Sequence, residues 1–441
     1  MSSTTAVVPV SAERRREQRK VLAGTLVGTS IEWYDFFIYA QAAGLVLGPL
    51  FFAPVAKENP GLATIISFAT IGISFLFRPL GAIVAGHLGD RLGRKKMLVL
   101  TLILMGASTA LIGVLPTYAQ IGIAAPIMLM LLRVLQGFSA GGEWGGAALM
   151  AVEHAPKGKR SWFGAFPQIG VPIGMILATA VLWIIQQVIG QQAFLEWGWR
   201  LPFLFSIALV FVGWVIRRAV EESPIFAELQ ARKAESSAPL GQLFKKNTKE
   251  VVLAALIFIS NNAAGYLVIA FFISYLSKTL GLPMPSVLLT TALASFGWLI
   301  FTLVGGYLGD KWGRKRTFQV GYTIILLWAI PMWFLIDSKD LGLYFIAAFV
   351  LTIGLGLSYG PQAALYAEMF PPHIRYSGVS IGYALGTILG GAFAPMISEA
   401  ILKSTGQSWH IGVYLAGITI ISLIAVSVVK ERKDADLGVS A

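Results

Sequence analysis

The stretches GHLGDRLGRKK, residues 86–96, and GYLGDKWGRKR, residues 306–316, are two versions of one phrase. Their aspartates, Asp90 and Asp310, are 220 residues apart. Each copy follows a long apolar segment and carries four basic residues, which is typical of a polar turn between two apolar helices. The recurrence of such a turn at so long an interval indicates that the chain consists of two similar halves.

The composition predicts an integral membrane protein. The 441-residue chain is 56% hydrophobic and only 13% charged, whereas soluble domains are about a quarter charged. Most apolar residues form runs long enough to cross a hydrocarbon core of about 30 Å as helices, the form in which backbone groups in lipid satisfy one another. We count twelve such spans, at approximately 21–50, 63–88, 97–115, 123–150, 161–187, 200–216, 251–276, 286–308, 318–336, 341–365, 376–400 and 409–429.

The positions of the basic residues explain the formal net charge of +12. Of the 34 lysines and arginines, 27 lie at the two termini and at the even-numbered junctions between spans, and only five lie at the odd-numbered junctions. Basic residues accumulate on the cytoplasmic side of membrane proteins. We therefore predict that both termini are cytoplasmic, and that the charge reflects topology and not a nucleic-acid partner.

A polar interval after span 6 divides the chain into two halves. It is rich in charged residues, Ser and Pro, so it is predicted to be a cytoplasmic linker. The fold class is an all-α integral membrane protein with twelve transmembrane helices in two six-helix bundles. The predicted parts are a basic cytoplasmic N-terminus at 1–20, the N-terminal bundle at 21–216, the linker at 217–250, the C-terminal bundle at 251–429 and a cytoplasmic tail at 430–441.

A second repeated phrase supports the duplication. EHAPKGKR, from Glu153, and EMFPPHIR, from Glu368, both follow the fourth span of their half. The two glutamates are 215 residues apart, and so are Arg160 and Arg375 at the ends of the phrases. Duplication of one ancestral six-helix unit explains these offsets together.

Five charged side chains lie well within the predicted spans, all in the first half: Glu32, Asp35, Arg78, Arg133 and Glu143. A charge in lipid costs about 2.5–3.5 kcal/mol or more, so these groups are expected to face one another or a cavity. Counting the helical rise puts Glu32, Asp35 and Arg78 at one depth. An ion pair between Asp35 and Arg78 is therefore geometrically reasonable, and three acids against two bases leave one carboxylate without a partner.

Several stretches resemble a known family. The twelve spans, the central linker and the phrase G-x-L-x-D-R-x-G-R-K between spans 2 and 3 resemble the major facilitator superfamily. IEWYDFFIY, FLFRPLGA, LLRVLQGFSAGGEWGGAAL, WGWRLPF, EESPIF and RYSGVSIGY are similar to its metabolite:proton symporter family, whose bacterial members carry shikimate, α-ketoglutarate, citrate, or proline and betaine. The resemblance implies a monomeric transporter of the bacterial inner membrane, not an enzyme, whose two bundles alternate access to a central site.

The repeated phrase is expected to form a gate at the cytoplasmic ends of spans 2 and 8. Its glycines let helices approach closely, and its aspartate can cap another helix or pair with an arginine. The resemblance implies that these contacts stabilise the outward-open state. The alternative is a tight turn whose charges only set the topology. The candidate gating residues are Gly86, Asp90, Arg91, Gly93, Arg94, Asp310 and Arg314.

The buried acids are candidates for proton coupling. A buried carboxylate whose arginine partner approaches and leaves with conformation takes up and releases a proton. Among the acids Asp35 is the first candidate for the proton carrier, Glu32 the second and Glu143 the third, with Arg78 and Arg133 as the partner arginines. The resemblance implies the same coupling, because residues 133–137 fit the fourth-span motif linked to proton transfer. A static network of ion pairs is the alternative.

Uncharged polar side chains on the spans are candidates to bind cargo. They can hydrogen-bond a small organic acid or zwitterion while Arg78 or Arg133 pairs with its anionic group. For any one of them an interhelical hydrogen bond is an equally good explanation. The candidates are Tyr34, Tyr39, Gln136, Trp144, Gln168, Asn261, Asn262, Tyr266, Gln362 and Tyr383.

Together these features predict proton-coupled uptake of a small organic acid or zwitterion. A proton-independent facilitator and a proton-coupled exporter of the same fold are the alternatives. An ATP-driven pump is disfavoured because the chain has no G-x-x-x-x-G-K-[ST] phosphate loop. The chain has no cysteine, and its four histidines lack zinc-ligand spacing, so no metal, cofactor or catalytic residue is predicted.

Overall fold

The structure is a computed structural model of the chain, and it describes residues 12–56, 59–84, 94–141, 143–219, 246–371 and 374–433. These residues are almost entirely helical, and they include no β-strand. The helices follow the order of the predicted spans, so we keep the span numbers below.

The first half contains spans 1 to 6, joined by short connections. Span 1 is unusual because it continues from an α-helix into ten residues of π-helix. The helices are Ala12–Ala42 with the π-helix Ala43–Phe52, Pro60–Leu76, Arg94–Val114, Ala124–Ala140 with Glu143–Glu153, Arg160–Ile189 and Arg200–Ala219.

The second half contains spans 7 to 12. Span 7 also passes into π-helix, at Leu267–Phe271 and Tyr275–Thr279, just as its counterpart span 1 does. The helices are Thr248–Tyr266 with the continuation to Thr279, Met284–Lys311, Arg314–Trp328 with Pro331–Ile336, Leu341–Tyr359 with Gln362–Met369, Arg375–Gly390 with Ala394–Thr405, and Trp409–Val428.

The lengths of the helices agree with a membrane-spanning bundle. Within the described residues nine helices are long and apolar enough to cross a membrane, and a pair bent by 65° before span 6 makes a tenth. The other two predicted spans have shorter apolar helices. Span 3 contributes Leu100–Val114, and span 9 is broken before Pro331, which cannot donate a backbone hydrogen bond to continue the preceding helix.

The same pairs of helices pack together in both halves. Span 1 packs against span 5 as span 7 packs against span 11, and spans 3 and 6 pair as spans 9 and 12 do. Across the halves, span 5 packs along span 8 and span 2 packs against span 11. A duplicated six-helix unit produces this recurrence, and it leaves spans 1, 4, 7 and 10 to meet at the centre.

We call the end of the bundle that carries both ends of the described chain the near side, and the opposite end the far side. On the near side Gln18 donates to the carbonyl of His154, and Glu431 accepts from the backbone N–H of Arg314. The near side therefore also contains the ends of spans 4 and 8 and the starts of spans 5 and 9.

Candidate functional site

On the near side, Asp310 of span 8 caps a helix of the other half. Its two carboxylate oxygens accept the backbone N–H groups of Ser161 and Trp162, each at 2.9 Å, in the first turn of span 5. A carboxylate at a helix N-terminus is favoured by the helix dipole. The close approach depends on Gly309, because a Cβ atom there would lie 2.9 Å from the Ser161 hydroxyl. Arg314 pairs with Asp310 at 3.5 Å.

The other copy of this phrase falls outside the described residues. This applies to Gly86, Asp90, Arg91 and Gly93, and to the side chain of Arg94. The capping and pairing observed at Asp310 and Arg314 are the two contacts expected for an aspartate of this motif. Their part in gating stays a prediction.

The second repeated phrase forms reciprocal ion pairs across the halves. Arg160 of the first half lies 3.4 Å from Glu368 of the second, and Arg375 of the second half lies 3.8 Å from Glu153 of the first. Glu368 also accepts from Arg314 at 3.0 Å. Each glutamate thus meets the arginine of the other copy. The sequence indicated the repeat but not this exchange of partners.

The far side is closed by different contacts between the halves. Lys403 of span 11 donates to Oδ1 of Asn59 at 3.0 Å, and Asn59 is the cap of span 2. Ser274 of span 7 donates at 3.2 Å to the carbonyl of Gly44, in the π-helix of span 1. The two halves therefore touch on both sides of the centre.

Arg78 lies between the two halves in an aromatic cage. Its guanidinium carbon is 4.3 Å from the ring centre of Phe36, 4.4 Å from that of Phe75 and 5.2 Å from that of Trp33. Glu32 lies 3.9 Å from Nη2 of Arg78. A guanidinium over aromatic faces is stabilised more strongly when it is desolvated, which lets a charge remain at this depth.

Asp35 belongs to a different network, inside the first half. Its carboxylate accepts from the hydroxyl of Ser206 at 2.6 Å and lies beside the hydroxyl of Thr109, which donates to the carbonyl of Met105 at 3.0 Å. Thr109 accepts at 2.7 Å from the amide of Gln136, whose oxygen accepts from Arg133 at 2.5 Å. A neutral amide and a hydroxyl therefore lie between the carboxylate of Asp35 and the guanidinium of Arg133.

The expected ion pair between Asp35 and Arg78 is wrong. Arg78 pairs with Glu32, and Asp35 accepts a hydrogen bond from Ser206 of span 6. Glu32 and Asp35 were both expected at the depth of Arg78, so depth alone did not determine which of them pairs with it. Residues three apart on a helix point about 60° apart around its axis, so Glu32 faces span 2 while Asp35 faces the interior of its own bundle.

The remaining charged candidates are also buried. Arg133 lies 3.7 Å above the ring of Tyr39, which exchanges a 2.5 Å hydrogen bond with Thr70. Glu143 is 3% exposed and begins the second helix of span 4, next to Trp144. Arg133 thus joins the network of Asp35, whereas Glu143 is buried at the start of the helix that carries Trp144.

Trp144 and Tyr383 stack across that interface. Their ring centres are 3.6 Å apart with an interplanar angle of 11°, and Phe258 stacks on Tyr383 at 4.5 Å. The indole N–H of Trp144 donates to Gln168 at 2.9 Å, and the amide of Gln168 reaches Gln362 of the other half at 3.5 Å. Four predicted cargo residues from both halves therefore meet here.

Asn262 and Tyr266 lie one turn apart on span 7 and face the same region. Both side chains approach Gly391, where a Cβ atom would clash with them. The ring of Tyr266 makes an edge contact of 5.5 Å with Phe75, one of the rings beneath Arg78. These two residues therefore extend the polar interface to the neighbourhood of Arg78.

The structure does not bring the other four cargo candidates to this interface. Tyr34 donates to the carbonyl of Pro202 at 2.7 Å within the first half. Tyr39 and Gln136 are engaged with the Arg133 network. Asn261 donates to backbone and hydroxyl groups of span 10. Interhelical hydrogen bonding accounts for the contacts of these side chains.

The interface encloses little space. Arg78, Trp144, Ser380 and Tyr383 line a void of about 10 Å³, which holds no more than one water-sized molecule. Contacts on both sides of the centre close off this region. The void between the stacked rings and Arg78 is therefore too small to hold a metabolite.

Comparison with known proteins identifies the family. The family model described as Major Facilitator Superfamily matches residues 25–395. The chain belongs to the major facilitator superfamily. With its apolar spans and inner-membrane relatives, this major facilitator protein is a multi-pass protein of the bacterial inner membrane. Its named relatives are transport proteins and not enzymes.

Similar proteins carry different cargoes. The chain is 36% identical to the shikimate transporter of Escherichia coli K12, over 95% of each chain. It is 33% identical to the glycine betaine/proline/ectoine/pipecolic acid transporter OusA of Dickeya dadantii, over 95% of this chain and 84% of OusA. The fold matches that of the proton:xylose symporter XylE from E. coli with a TM-score of 0.76, at 18% identity, over 96% of this chain and 98% of XylE.

Sequence reasoning missed two sets of contacts. Ser206 donates to Asp35, but single hydroxyl residues on apolar helices give no signal of their partners. The sequence also gives no indication of the aromatic cage around Arg78, because Trp33 and Phe36 are indistinguishable in it from ordinary core residues. The spacing of the repeated Glu and Arg was the one signal that pointed to the near-side ion pairs.

Proposed function

We propose that this major facilitator protein is a proton-coupled symporter that takes up a small organic acid or zwitterion by alternating access. The observation that carries the proposal is the separation of two polar networks. Asp35 and Arg133 lie in one network within the first half, while Arg78 and Glu32 lie at the interface with the second half. A proton and a cargo molecule can therefore occupy different sites at once.

Asp35 is the proton carrier in this proposal. Ser206 donates to its carboxylate, and the hydroxyl of Thr109 lies beside it. A rearrangement that moves Arg133 and Gln136 changes the polar surroundings of this carboxylate, and a proton is taken up or released with that change. Glu32, one turn away on span 1, couples this change to Arg78 at the interface.

Arg78 is the anchor for an anionic group of the cargo. Its guanidinium is only 3% exposed and its pair with Glu32 is long, at 3.9 Å. A carboxylate that binds Arg78 directly makes shorter, charge-assisted hydrogen bonds. Cargo binding then displaces Glu32 from Arg78, and this exchange communicates the presence of cargo to span 1.

The near-side and far-side contacts serve as alternate gates. The near side is held by the cap at Asp310 and the reciprocal ion pairs, whereas the described residues of the far side are joined by uncharged acceptors of Lys403, Ser274 and Gln186, namely Asn59, the carbonyl of Gly44 and the sulfur of Met284. By the positive-inside rule the near side is cytoplasmic. Closure of the near side with an open far side is then the outward-facing, cargo-loading state.

Uptake into proteoliposomes tests this function. Radiolabelled shikimate and glycine betaine are offered to vesicles with and without an inwardly directed proton gradient. We expect accumulation of a probe above the external concentration only with the gradient, and loss of accumulation when a protonophore is added. Equilibration to the external concentration regardless of the gradient would identify a facilitator, and accumulation driven by the opposite gradient would identify an exporter.

A further inference from the structure

We propose that the interface between the halves recognises a hydroxylated carboxylate, and not a methylated ammonium zwitterion. This inference rests on the proposed function, because it names the cargo class of the same site. It starts from five side chains at the interface that have polar atoms without hydrogen-bond partners. They are Arg78 at Nε and Nη2, Asn262 at Oδ1, Tyr266 at the hydroxyl, Gln362 at Nε2 and Ser380 at Oγ.

These side chains are deeply buried and belong to one region. Each is at most 7% exposed. Arg78 and Ser380 line the same void, and Gln362 adjoins it through Gln168 and Trp144. Buried polar groups are normally hydrogen-bonded, and leaving one unpaired is costly. A ligand that enters between the halves can supply these missing bonds.

The polar atoms without hydrogen-bond partners differ in whether they donate or accept, and this indicates which ligand they can bind. The guanidinium of Arg78 calls for an anionic acceptor, and a carboxylate matches its fork of donors. Ser380 and Tyr266 can both donate and accept, Gln362 offers a donor, and the free atom of Asn262 is an acceptor only. A hydroxyl group is the small neutral group that both donates and accepts, so several hydroxyls on one acid satisfy this set.

A methylated ammonium group fits this region less well. Such groups are bound by unoccupied aromatic faces, and the faces here are engaged. Arg78 lies over Phe36 and Phe75, and Tyr383 is covered by Trp144 on one side and stacked with Phe258. A quaternary ammonium also has no proton to donate to Asn262.

Counterflow exchange in proteoliposomes tests the inference without a proton gradient. Vesicles loaded with unlabelled shikimate take up labelled shikimate in competition with matched compounds. Cyclohex-1-ene-1-carboxylate keeps the ring and the carboxylate but lacks the hydroxyls, myo-inositol keeps the hydroxyls but lacks the carboxylate, and glycine betaine carries the methylated ammonium. We expect shikimate to compete at least tenfold more strongly than any of the three.

Two variants, each with a control, test whether the unpartnered atoms of Ser380 and Asn262 recognise the hydroxyls of shikimate. Ser380→Ala and Asn262→Leu are expected to weaken shikimate competition three- to tenfold, with little effect on the deoxy acid. Their controls are Ser398→Ala, on the same span, whose hydroxyl is satisfied by the carbonyl of Ala394, and Asn261→Leu. The first control should match the wild type. The second removes bonds to span 10, so it should lower thermal stability but keep the order of the probes.

Three outcomes would overturn the cargo class. They are stronger competition by glycine betaine than by shikimate, equal competition by the deoxy acid, and no exchange of shikimate, quinate or gluconate. Because exchange requires no gradient, the two proposals fail separately. A protein that exchanges shikimate but never accumulates it contradicts proton coupling and leaves the cargo class intact.

Discussion

The two halves of the molecule share one helical plan but differ in the side chains that they bury at mid-depth. The first half buries Glu32, Asp35, Arg78 and Arg133, whereas the second half presents amides, hydroxyls and phenols to the same interface. Buried charges of the second half, such as Glu368, lie at the near side. The first copy of the duplicated scaffold therefore supplies the charges at mid-depth, and the second supplies uncharged hydrogen-bonding groups.

Because of this difference, the proposed proton site would stay intact when the two halves move relative to each other. The network from Ser206 through Asp35, Thr109 and Gln136 to Arg133 involves one half alone. It therefore travels with that half as a unit. The contacts that break when the halves separate include the uncharged stack of Trp144 on Tyr383 and the near-side ion pairs, and neither belongs to this network.

The largest effect is expected when Asp35, the proposed proton carrier of the first half, is replaced. Asp35→Asn should reduce gradient-driven accumulation to the equilibrium ratio of about one, while counterflow exchange continues. With one proton per cargo, a gradient of one pH unit supports about a tenfold ratio, because each unit is worth about 1.36 kcal/mol. The measurement is steady-state accumulation in proteoliposomes. Asp337→Asn is the control, since Tyr275 and Ser408 bind that carboxylate in the other half, and it should retain accumulation.

The next largest effect concerns the anchor at the interface. Arg78→Lys keeps the charge but loses the planar fork and its fit to the aromatic cage. We expect shikimate affinity to fall about 10- to 100-fold, as measured by competition in counterflow. The matched control is Arg200→Lys, because Arg200 donates to backbone carbonyls of Gly113 and Leu115. Similar losses in both variants would mean that Arg78 acts only through stability.

Reversal of an ion pair tests whether the near-side contacts act as a gate. Because the chain has no cysteine, a single Ala363→Cys reporter can be introduced where span 10 meets Gly164 of span 5. Glu153→Arg should speed labelling of this cysteine several-fold, because it places like charges opposite Arg375. Adding Arg375→Glu should return the rate close to that of the reporter alone. Unchanged labelling in Glu153→Arg would mean that the pair of Glu153 and Arg375 is not part of a gate and that its charges only set the membrane topology.

The smallest effect should come from the bridge between Asp35 and Arg133. Thr109→Val preserves shape but removes the hydroxyl that lies between the carboxylate of Asp35 and the amide of Gln136. Less polar surroundings disfavour the charged form of a carboxylate. We expect the pH profile of uptake to move in the alkaline direction by about 0.5–1 unit, because an ordinary hydrogen bond contributes about 0.5–1.5 kcal/mol. Thr387→Val, whose hydroxyl bonds to Tyr383 of its own helix, should leave the profile in place.

The sequence predicted the fold well because its signals are local. Apolar runs and basic junctions define spans without knowledge of their neighbours, and the helices from Ala12 to Val428 follow the predicted order. Family membership came from motifs that keep their order along the chain. The break before Pro331 and the π-helical segments were missed, since they change the course of a span and not its apolar character.

The site was harder to predict because partners depend on direction around a helix. The sequence identified Asp35, Glu32 and Arg78 as buried charges, but depth alone suggested the wrong pair. Residues on apolar helices show nothing in the sequence about which neighbour they face. Tyr34, for example, turns to Pro202 and not to the interface. Only packing reveals that Gln136 is a link in the Asp35 network.

The transport of a proton by Asp35 can be tested by measuring proton movement that an inward gradient of cargo drives. Proteoliposomes that contain a pH-sensitive dye receive an inward gradient of shikimate, with no initial pH difference and with the membrane potential clamped. We predict that the lumen acidifies with wild-type protein and that its pH stays constant with Asp35→Asn, although both proteins exchange shikimate. Equal acidification by the two proteins would contradict the assignment of proton transport to Asp35.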